Sequence, residues 1–192
     1  MPIIHFITHP EVMIDPAVPI PDWRLSPVGI RRMRLALERP WLTGVQSVFS
    51  STERKAMDAA SLLAEKLGLR PVVVAGLGKN NRSATGYLPK AEFEAVADEF
   101  FARPEESVRG WECAADAQRR IVDAVEHLIS VAPTEGDIAI VSHGGVGALL
   151  LCHLKGVSIS RCEDQPGGGG GNVYSFSASD RRLLSGWRRI ED

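Results

Sequence analysis

Residues 137–145, with the sequence Asp-Ile-Ala-Ile-Val-Ser-His-Gly-Gly, are the most strand-like segment of the chain and decide its fold. The apolar run predicts a buried strand, and the glycines that follow it predict the end of that strand. His143 is therefore expected in the loop at the carboxyl end of the strand. Open α/β sheets bind their ligands at this end of their strands.

A second segment near the start of the chain ends in the same way. Residues 3–8 form an apolar run that stops at His9 and Pro10, which predicts another buried strand with His9 at its carboxyl end. Each histidine follows a hydroxyl residue, Thr8 in one segment and Ser142 in the other. We expect both imidazoles to meet at one edge of the sheet.

A positive charge is expected at the same edge. Residues 45–49 predict a strand, and Ser50-Ser51-Thr52 predicts the cap of a following helix with Arg54 in its first turn. The free N–H groups of a helix start and a guanidinium both favour an anion. Two histidines with an arginine suit a phosphate better than a metal, because the arginine would repel a cation. No metal and no organic cofactor is expected.

The rest of the chain alternates between strand and helix patterns. Ser26-Pro27 predicts a helix start and Gly68 a helix end, while the polar loop 76–86 is long enough to form a wall of a site. Further strands are predicted at 71–74, 173–176 and 183–187, and further helices around 93–100, 117–128 and 146–153. The pattern predicts an α/β fold in which helices cover both faces of the sheet, with residues 1–192 as a single domain.

Composition restricts the classes of partner. The chain has 22 basic and 24 acidic residues and a net charge of -2, which argues against nucleic acid. The five-glycine tract 167–171 is not followed by the strand, turn and helix of a nucleotide fingerprint, so it is expected to be a flexible or closely approached loop. Three cysteines and the absence of a long apolar stretch favour a cytoplasmic protein that does not contact membranes. The sequence leaves the oligomeric state open.

The chain resembles the histidine phosphatase superfamily, also called phosphoglycerate mutase-like, over nearly its whole length. His9 stands at the position of the histidine in the family's Arg-His-Gly signature, and residues 140–145 reproduce its Val-x-His-Gly segment around His143. Residues 50–56 resemble the family's Ser-x-x-x-Arg-Ala segment, with Arg54 as the phosphate clamp, and residues 25–29 resemble its Leu-Thr/Ser-x-x-Gly helix start. The resemblance implies a phosphoglycerate mutase-like three-layer α/β/α sandwich with a mostly parallel central sheet. It also implies a phosphohistidine on His9, with Arg54 and His143 as the other catalytic residues.

Two positions depart from the family pattern. Thr8 replaces the arginine of Arg-His-Gly, so Arg82 is a candidate substitute cation, although a solvated loop explains Arg82 equally well. Thr8 itself, together with Gly144, is a candidate contact of the substrate. Lys79 stands where the family's Leu-x-Glu segment carries the general acid, and a lysine cannot simply inherit that role. Three carboxylates are possible replacements, and their spacing selects none of them: Glu11, Asp15 and Glu112.

Three functions follow from the resemblance and from these departures. The first is a phosphatase acting on a phosphorylated small molecule or a phosphoprotein, and the second is a phosphate-binding module without catalysis. A phosphoglycerate mutase is a third, which the altered loop around Lys79 disfavours, because a mutase must shield its phosphohistidine from water. The remaining histidines are interpreted as structural residues: His5, His127 and His153.

Overall fold

The protein is built on one six-stranded mixed sheet, described here from a computed structural model of residues 2–132 and 135–192. The strands are β1 (Ile3–Thr8), β2 (Val45–Ser50), β3 (Val72–Val73), β4 (Asp137–Ser142), β5 (Asn172–Ser177) and β6 (Leu183–Arg189). Their order across the sheet is β3-β2-β4-β1-β5-β6. The four strands from β3 to β1 run parallel, and β5 and β6 extend the sheet as an antiparallel hairpin. The prediction of a mostly parallel sheet is confirmed.

Five α-helices cover the two faces of the sheet. They are α1 (Pro27–Ala36), α2 (Arg54–Leu67), α3 (Lys90–Ala102), α4 (Ala114–Val131) and α5 (Gly144–Lys155). Helices α1 and α2 pack on one face, and α4 and α5 pack on the other, with α3 against the outer side of α4 and α5. This arrangement is the predicted three-layer α/β/α sandwich.

The central strands β1 and β4 are mostly apolar because both of their faces are covered. In β4, Ala139 and Val141 point to the layer of α1 and α2, whereas Ile138 and Ile140 point to the layer of α4 and α5. Period-two alternation of side chains sends successive residues to opposite layers. The continuous apolar runs in the sequence are the signature of this double burial.

The predicted strand at 71–74 is shorter in the structure. Only Val72 and Val73 form β3, at the edge of the sheet, and both are exposed. A short edge strand limits the row of unpaired backbone groups that a sheet edge presents to other chains. The apolar pattern located the strand but overestimated its length.

The predicted helix boundaries are right at one helix start and wrong at another. Ser26 caps α1, its hydroxyl accepting a hydrogen bond from the Gly29 N–H at 3.0 Å. The prediction that Ser50-Ser51-Thr52 caps α2 is wrong, because the N-cap is Glu53 and makes no side-chain capping bond. The Ser51 hydroxyl lies instead 2.7 Å from a ring nitrogen of His143.

The glycine tract packs against the backbone of His9. Gly168 to Gly171 all have positive φ, and the Gly171 N–H donates to the His9 carbonyl at 3.0 Å. A Cβ on Gly170 would lie 2.3 Å from the same carbonyl oxygen. The tract is therefore a closely approached loop that fixes the segment carrying His9.

Among residues 2–132 and 135–192, every helix is too short or too polar to cross a membrane.

We expect Gly170→Ala to destabilise the protein more than Gly68→Ala. Both glycines have similar positive φ, 73° and 67°, but a Cβ at Gly68 would have no atom within 4 Å. A left-handed conformation costs a non-glycine residue about 1–2 kcal/mol, so Gly68→Ala measures that cost alone. Gly170→Ala should lower the free energy of unfolding, measured in urea, by roughly 1 kcal/mol more. Equal losses would show that the His9 carbonyl does not confine the tract.

Candidate active site

His9 and His143 lie side by side at one edge of the sheet, as predicted. Their ring centroids are 5.1 Å apart and the rings are nearly perpendicular. Each histidine directly follows the last residue of its strand, and β1 and β4 are neighbours with Thr8 opposite Ser142. Parallel pairing in this register places the two imidazoles together.

The surroundings of His9 fix which of its ring nitrogens can react. Nδ1 lies 2.9 Å from the Pro10 carbonyl oxygen, which can only accept a hydrogen bond, so Nδ1 carries the proton. Nε2 therefore keeps its lone pair. Burial lowers the pKa of His9 to about 4, so the ring is neutral near pH 7. A neutral imidazole with a free Nε2 is a nucleophile.

His143 is almost completely buried, with 4 % of its surface exposed. Its Nε2 lies 2.7 Å from the Ser51 hydroxyl, which also accepts a long hydrogen bond from the Glu53 N–H at 3.4 Å. If the hydroxyl donates to Nε2, the proton of the ring lies on Nδ1, which is buried without a partner among the described residues. Burial, followed by the charges of His9 and nearby cations, lowers the pKa of His143 well below its usual value.

A buried ionic cluster of Glu53, Lys55 and Lys79 lies beside the two histidines. Lys79 Nζ is 2.8 Å from Glu53 Oε2, and Lys55 Nζ contacts the same oxygen while also donating to the Ile20 carbonyl at 2.8 Å. Glu53 is 7 % exposed and Lys55 4 % exposed. The two ammonium groups hold the pKa of Glu53 below its usual value despite burial, so this carboxylate stays charged. Its negative charge offsets the positive charge of one of the two lysines.

A cavity of about 610 Å³ opens over these groups. Polar and charged side chains surround the histidines, aromatic side chains form a further wall, and the glycine tract closes another side. The lining includes His9, Lys55, Lys79, Asn80, Arg82, His143, Gly144, Gly145, Phe93, Phe100, Trp111, Asp164, Gln165 and residues 166–170. Its volume is in the range of small-molecule sites.

Three residues that line this cavity each have one buried polar atom without a hydrogen-bond partner among the described residues. These atoms are His143 Nδ1, Asn80 Nδ2 and Arg82 Nε. The Arg82 guanidinium also stacks over the rings of Phe93 and Trp111, at 4.8 and 5.4 Å from the ring centroids. Leaving a buried donor unpaired costs about 1–3 kcal/mol, so this wall suits a ligand rich in acceptor oxygens.

Most of the chain matches one known protein family. Residues 16–183 match the histidine phosphatase superfamily (branch 1). The chain belongs to this superfamily. No curated protein matches the sequence significantly.

Several solved structures share the fold of this chain. A mycobacterial glucosyl-3-phosphoglycerate phosphatase in complex with inorganic phosphate is 21 % identical, with a TM-score of 0.76 and full coverage of both chains. The Bacillus stearothermophilus protein YhfR is 16 % identical, with a TM-score of 0.77 over 96 % of this chain and 95 % of its own. A mutant Entamoeba histolytica phosphoserine phosphatase in complex with phosphoserine is 16 % identical, with a TM-score of 0.74 over 97 % and 96 %. At these identities the likeness establishes the fold.

The predicted phosphate clamp, Arg54, does not face the histidines. Its Nε bonds Asp58 at 2.9 Å, one turn along α2, and its side chain is 46 % exposed. The next residue, Lys55, lines the cavity instead. The superfamily's Ser-x-x-x-Arg-Ala segment, aligned on Ser51 and Ala56, places Lys55 at its arginine. The alanine was the signal in the sequence that pointed to Lys55.

Two of the three predicted acids point away from the cavity. Glu11 is exposed and accepts a hydrogen bond from the Ser26 hydroxyl at 2.7 Å. Asp15 is exposed and bonds the Ala17 N–H within its own loop at 3.0 Å. Neither carboxylate lines the cavity, although other residues of the loop that connects β1 to α1 do.

The third predicted acid, Glu112, positions a loop. Both of its carboxylate oxygens accept hydrogen bonds from Arg120, at 2.9 and 3.0 Å, and one also accepts from the Asn81 N–H. Burial would raise the pKa of Glu112, but these hydrogen bonds hold it below its usual value, so the group stays ionised. Arg120 in turn donates to the carbonyls of Gly76, Gly78 and Lys79.

Two of the three predicted substrate contacts line the cavity, and one does not. Arg82 and Gly144 line the cavity, and Gly144 is the first residue of α5, whose N-terminus faces the cavity. Thr8 does not line it, because the Thr8 hydroxyl donates to Gln165 Oε1 at 2.7 Å and accepts from the Asn172 N–H at 3.0 Å. A Cβ on Gly144 would lie 2.2 Å from Gln165 Nε2. Thr8 therefore contacts Gln165, which lines the cavity and which the sequence did not single out.

The other histidines lie outside the site. His5 is buried in the sheet, with Nδ1 2.8 Å from the Ser175 hydroxyl, and His127 and His153 are exposed on α4 and α5. Within the described residues, no group of three or more histidine, cysteine, aspartate and glutamate side chains converges as metal ligands do.

Replacing Lys55 should weaken phosphate binding, whereas replacing Arg54 should not. Lys55→Met removes a charge that lines the cavity, and Arg54→Met removes one that faces solvent. Charge-assisted hydrogen bonds contribute about 1.5–3 kcal/mol, which predicts a loss of roughly tenfold or more in affinity for Lys55→Met. Titrating inorganic phosphate against the unfolding temperature measures this effect. A larger loss of phosphate affinity in Arg54→Met than in Lys55→Met would instead identify Arg54 as the phosphate clamp.

The stability of the ligand-free protein should fall as the pH drops from about 6.5 towards 4. In this range the unfolded His9 binds a proton and the folded His9, with its pKa of about 4, does not. Protonation therefore favours the unfolded chain. Between pH 7 and 5, His9→Asn should lose less free energy of unfolding than the wild type, by on the order of 1 kcal/mol. Parallel losses in urea titrations of the two proteins would show that His9 titrates normally.

Proposed function

We propose that this chain is a phosphatase that hydrolyses a phosphate monoester through a phosphohistidine on His9. The observation that carries the proposal is the neutral His9, which keeps its Nε2 lone pair and lines a cavity together with three residues that each have an unpaired buried polar atom. A phosphoryl group has an electrophilic phosphorus for the nucleophile and acceptor oxygens for the donors. Membership of the superfamily supports the same chemistry.

The charge of the cavity matches a phosphate monoester. Lys55, Lys79 and Arg82 supply three positive charges, and Glu53 cancels one of them. The other charged lining residues balance in number, with Lys90 and Arg161 against Glu94 and Asp164. Two net positive charges remain, which equals the charge of a phosphate dianion with the opposite sign.

The reaction divides into two displacements at phosphorus. His9 Nε2 attacks phosphorus in line with the leaving oxygen, while the nearby cations and the N–H groups at the start of α5 stabilise charge on the other oxygens. Water then attacks the phosphohistidine and releases phosphate. His143 lines the cavity and its Nδ1 has no partner among the described residues, so it is a hydrogen-bond donor to the phosphoryl oxygens when that nitrogen carries the proton.

A small phosphorylated molecule is the substrate class that the cavity favours. Its volume of about 610 Å³ is that of a small-molecule site, and its aromatic wall is formed by residues such as Phe93 and Trp111. The structurally similar glucosyl-3-phosphoglycerate phosphatase and phosphoserine phosphatase are named for small phosphate esters.

Turnover should require His9 and should not require a histidine that lies outside the cavity. We expect the wild type to release phosphate from a panel of small phosphomonoesters, His9→Ala to lose this activity by at least ~10³-fold, and the exposed His127→Ala to keep it. Rapid acid-free quenching and mass spectrometry should find a phosphoryl group on His9 in the wild type.

A different outcome would identify a binding module. If inorganic phosphate raises the unfolding temperature of the wild type but no ester is hydrolysed, the cavity binds phosphate without catalysis. Loss of turnover in His127→Ala as well as in His9→Ala would place the activity outside this site.

A further inference from the structure

An alkyl phosphate needs a proton donor for its leaving oxygen, and none of the three carboxylates suggested by the sequence supplies one. Glu11 and Asp15 lie on an exposed loop, and Glu112 is held ionised by Arg120 outside the cavity. A positioned acid contributes about 10²–10⁴-fold to such a step. The donor must therefore be another group that lines the cavity.

We propose that the ammonium group of Lys79 is the general acid of this site. The proposal rests on the proposed phosphatase function and names the residue that protonates the leaving oxygen. Lys79 lines the same cavity as His9 and His143, and its charge acts on the pKa of both histidines. It occupies the position at which the superfamily pattern carries a glutamate.

Hydrogen bonds hold Lys79 both at its backbone carbonyl and at the end of its side chain. Arg120 donates to the Lys79 carbonyl at 3.1 Å, and Glu53 Oε2 accepts from Nζ at 2.8 Å. An ammonium group has three N–H donors, so this bond to Glu53 leaves donors for a ligand. The side chain is 13 % exposed, which keeps it ordered but reachable from the cavity.

The electrostatic surroundings make Lys79 a stronger acid than an ordinary lysine. Burial is the largest cause, and the charges of Lys55 and Arg82 act in the same direction, lowering its pKa to about 8. The group is therefore protonated at neutral pH and can still release its proton to an alkoxide. Lys55 is less suited, because its Nζ also donates to the Ile20 carbonyl and holds the loop there.

Asp164 is the competing donor in this cavity. It lines the wall, and burial raises its pKa above the usual value for an aspartate. Its carboxylate, however, accepts from the Gln165 N–H at 2.8 Å and interacts with Arg161 and Glu94. The largest charge effects on the pKa of His9 and His143 include that of Lys79 and do not include that of Asp164. We therefore favour Lys79, and the experiment must separate the two residues.

The proposed step balances protons and electrons. His9 Nε2 forms a bond to phosphorus as the bond from phosphorus to the leaving oxygen breaks, and that oxygen takes a proton from Lys79 Nζ. The alcohol leaves, and Lys79 is a neutral amine. Water then attacks phosphorus, the bond to His9 breaks with its electron pair returning to Nε2, and the Lys79 amine takes the proton of the water. Phosphate is released and Lys79 is an ammonium again.

The test compares leaving groups that differ in their need for a proton. An aryl ester such as p-nitrophenyl phosphate has a stable leaving anion, whereas phosphoserine or glycerol phosphate leaves as an alkoxide. We expect Lys79→Met to reduce kcat/KM for the alkyl esters by ~10²-fold or more relative to the aryl ester. The ratio of the two values cancels the loss of phosphate binding, which both substrates share. In the wild type, kcat/KM for alkyl esters should fall above about pH 8, where Lys79 loses its proton. This fall should be absent in Lys79→Met.

Three further variants serve as controls. Lys79→Arg keeps the positive charge but cannot release a proton, so its ratio should change like that of Lys79→Met. Arg54→Met removes a solvent-exposed charge at the start of α2 and should leave the ratio unchanged. Asp164→Asn should also leave the ratio unchanged. Urea unfolding of each variant verifies that it is folded. If Lys79→Met does not fold, Lys79→Arg takes its place in the comparison.

The outcomes separate this proposal from the proposed function. A wild type that hydrolyses neither class of ester overturns both. Wild-type turnover with equal losses for aryl and alkyl esters in both Lys79 variants overturns the role of Lys79 and leaves the phosphatase intact. A selective loss of alkyl esters in Asp164→Asn, with an unchanged ratio in Lys79→Arg, assigns the proton to Asp164 instead.

Discussion

The site depends on the parallel pairing of β1 with β4. Thr8 lies opposite Ser142, so the residues that follow, His9 and His143, leave the sheet side by side. The His9 N–H donates to the Ser142 carbonyl at 3.1 Å, which extends the ladder of hydrogen bonds to the first residue beyond β1. The backbone of the nucleophile is thus held by the sheet itself. A slip of one residue would separate the imidazoles and turn every side chain of β1 to the other face.

Charge balance is the second condition for this site. Two lysines beside two histidines would be costly to bury, because moving an isolated charge out of water costs several kcal/mol. Glu53 lies between Lys55 and Lys79 and offsets part of this cost. The remaining cationic excess, with the unpaired polar atoms of residues that line the cavity, would favour an anion. The neutral state of His9 follows from the same burial, since a charged imidazole would be desolvated beside these cations.

The two loops that wall the cavity are held by the same device, an arginine paired with a glutamate. Arg32 pairs with Glu191 and donates to the carbonyls of Gly170 and Gly171. Arg120 pairs with Glu112 and donates to the carbonyls of the segment 76–79. A planar guanidinium with five donors can satisfy a carboxylate and several carbonyls at once. Two loops without regular structure, carrying the glycine tract and Lys79, are ordered in this way.

The sequence by itself determined the sheet and the two histidines. Apolar runs at 3–8 and 137–142 that end in a histidine specify buried strands, and burial on both faces leaves a signal that is local in sequence. The tertiary structure decided the rest. Whether Arg54 or Lys55 faces the cavity depends on the residue at which α2 begins, because each helical residue turns the side chain by about 100°. Whether Glu112 is free or paired depends on Arg120 and on a loop 31 residues away, as its bond to the Asn81 N–H shows. Such contacts are set by packing between distant segments, which no local pattern encodes.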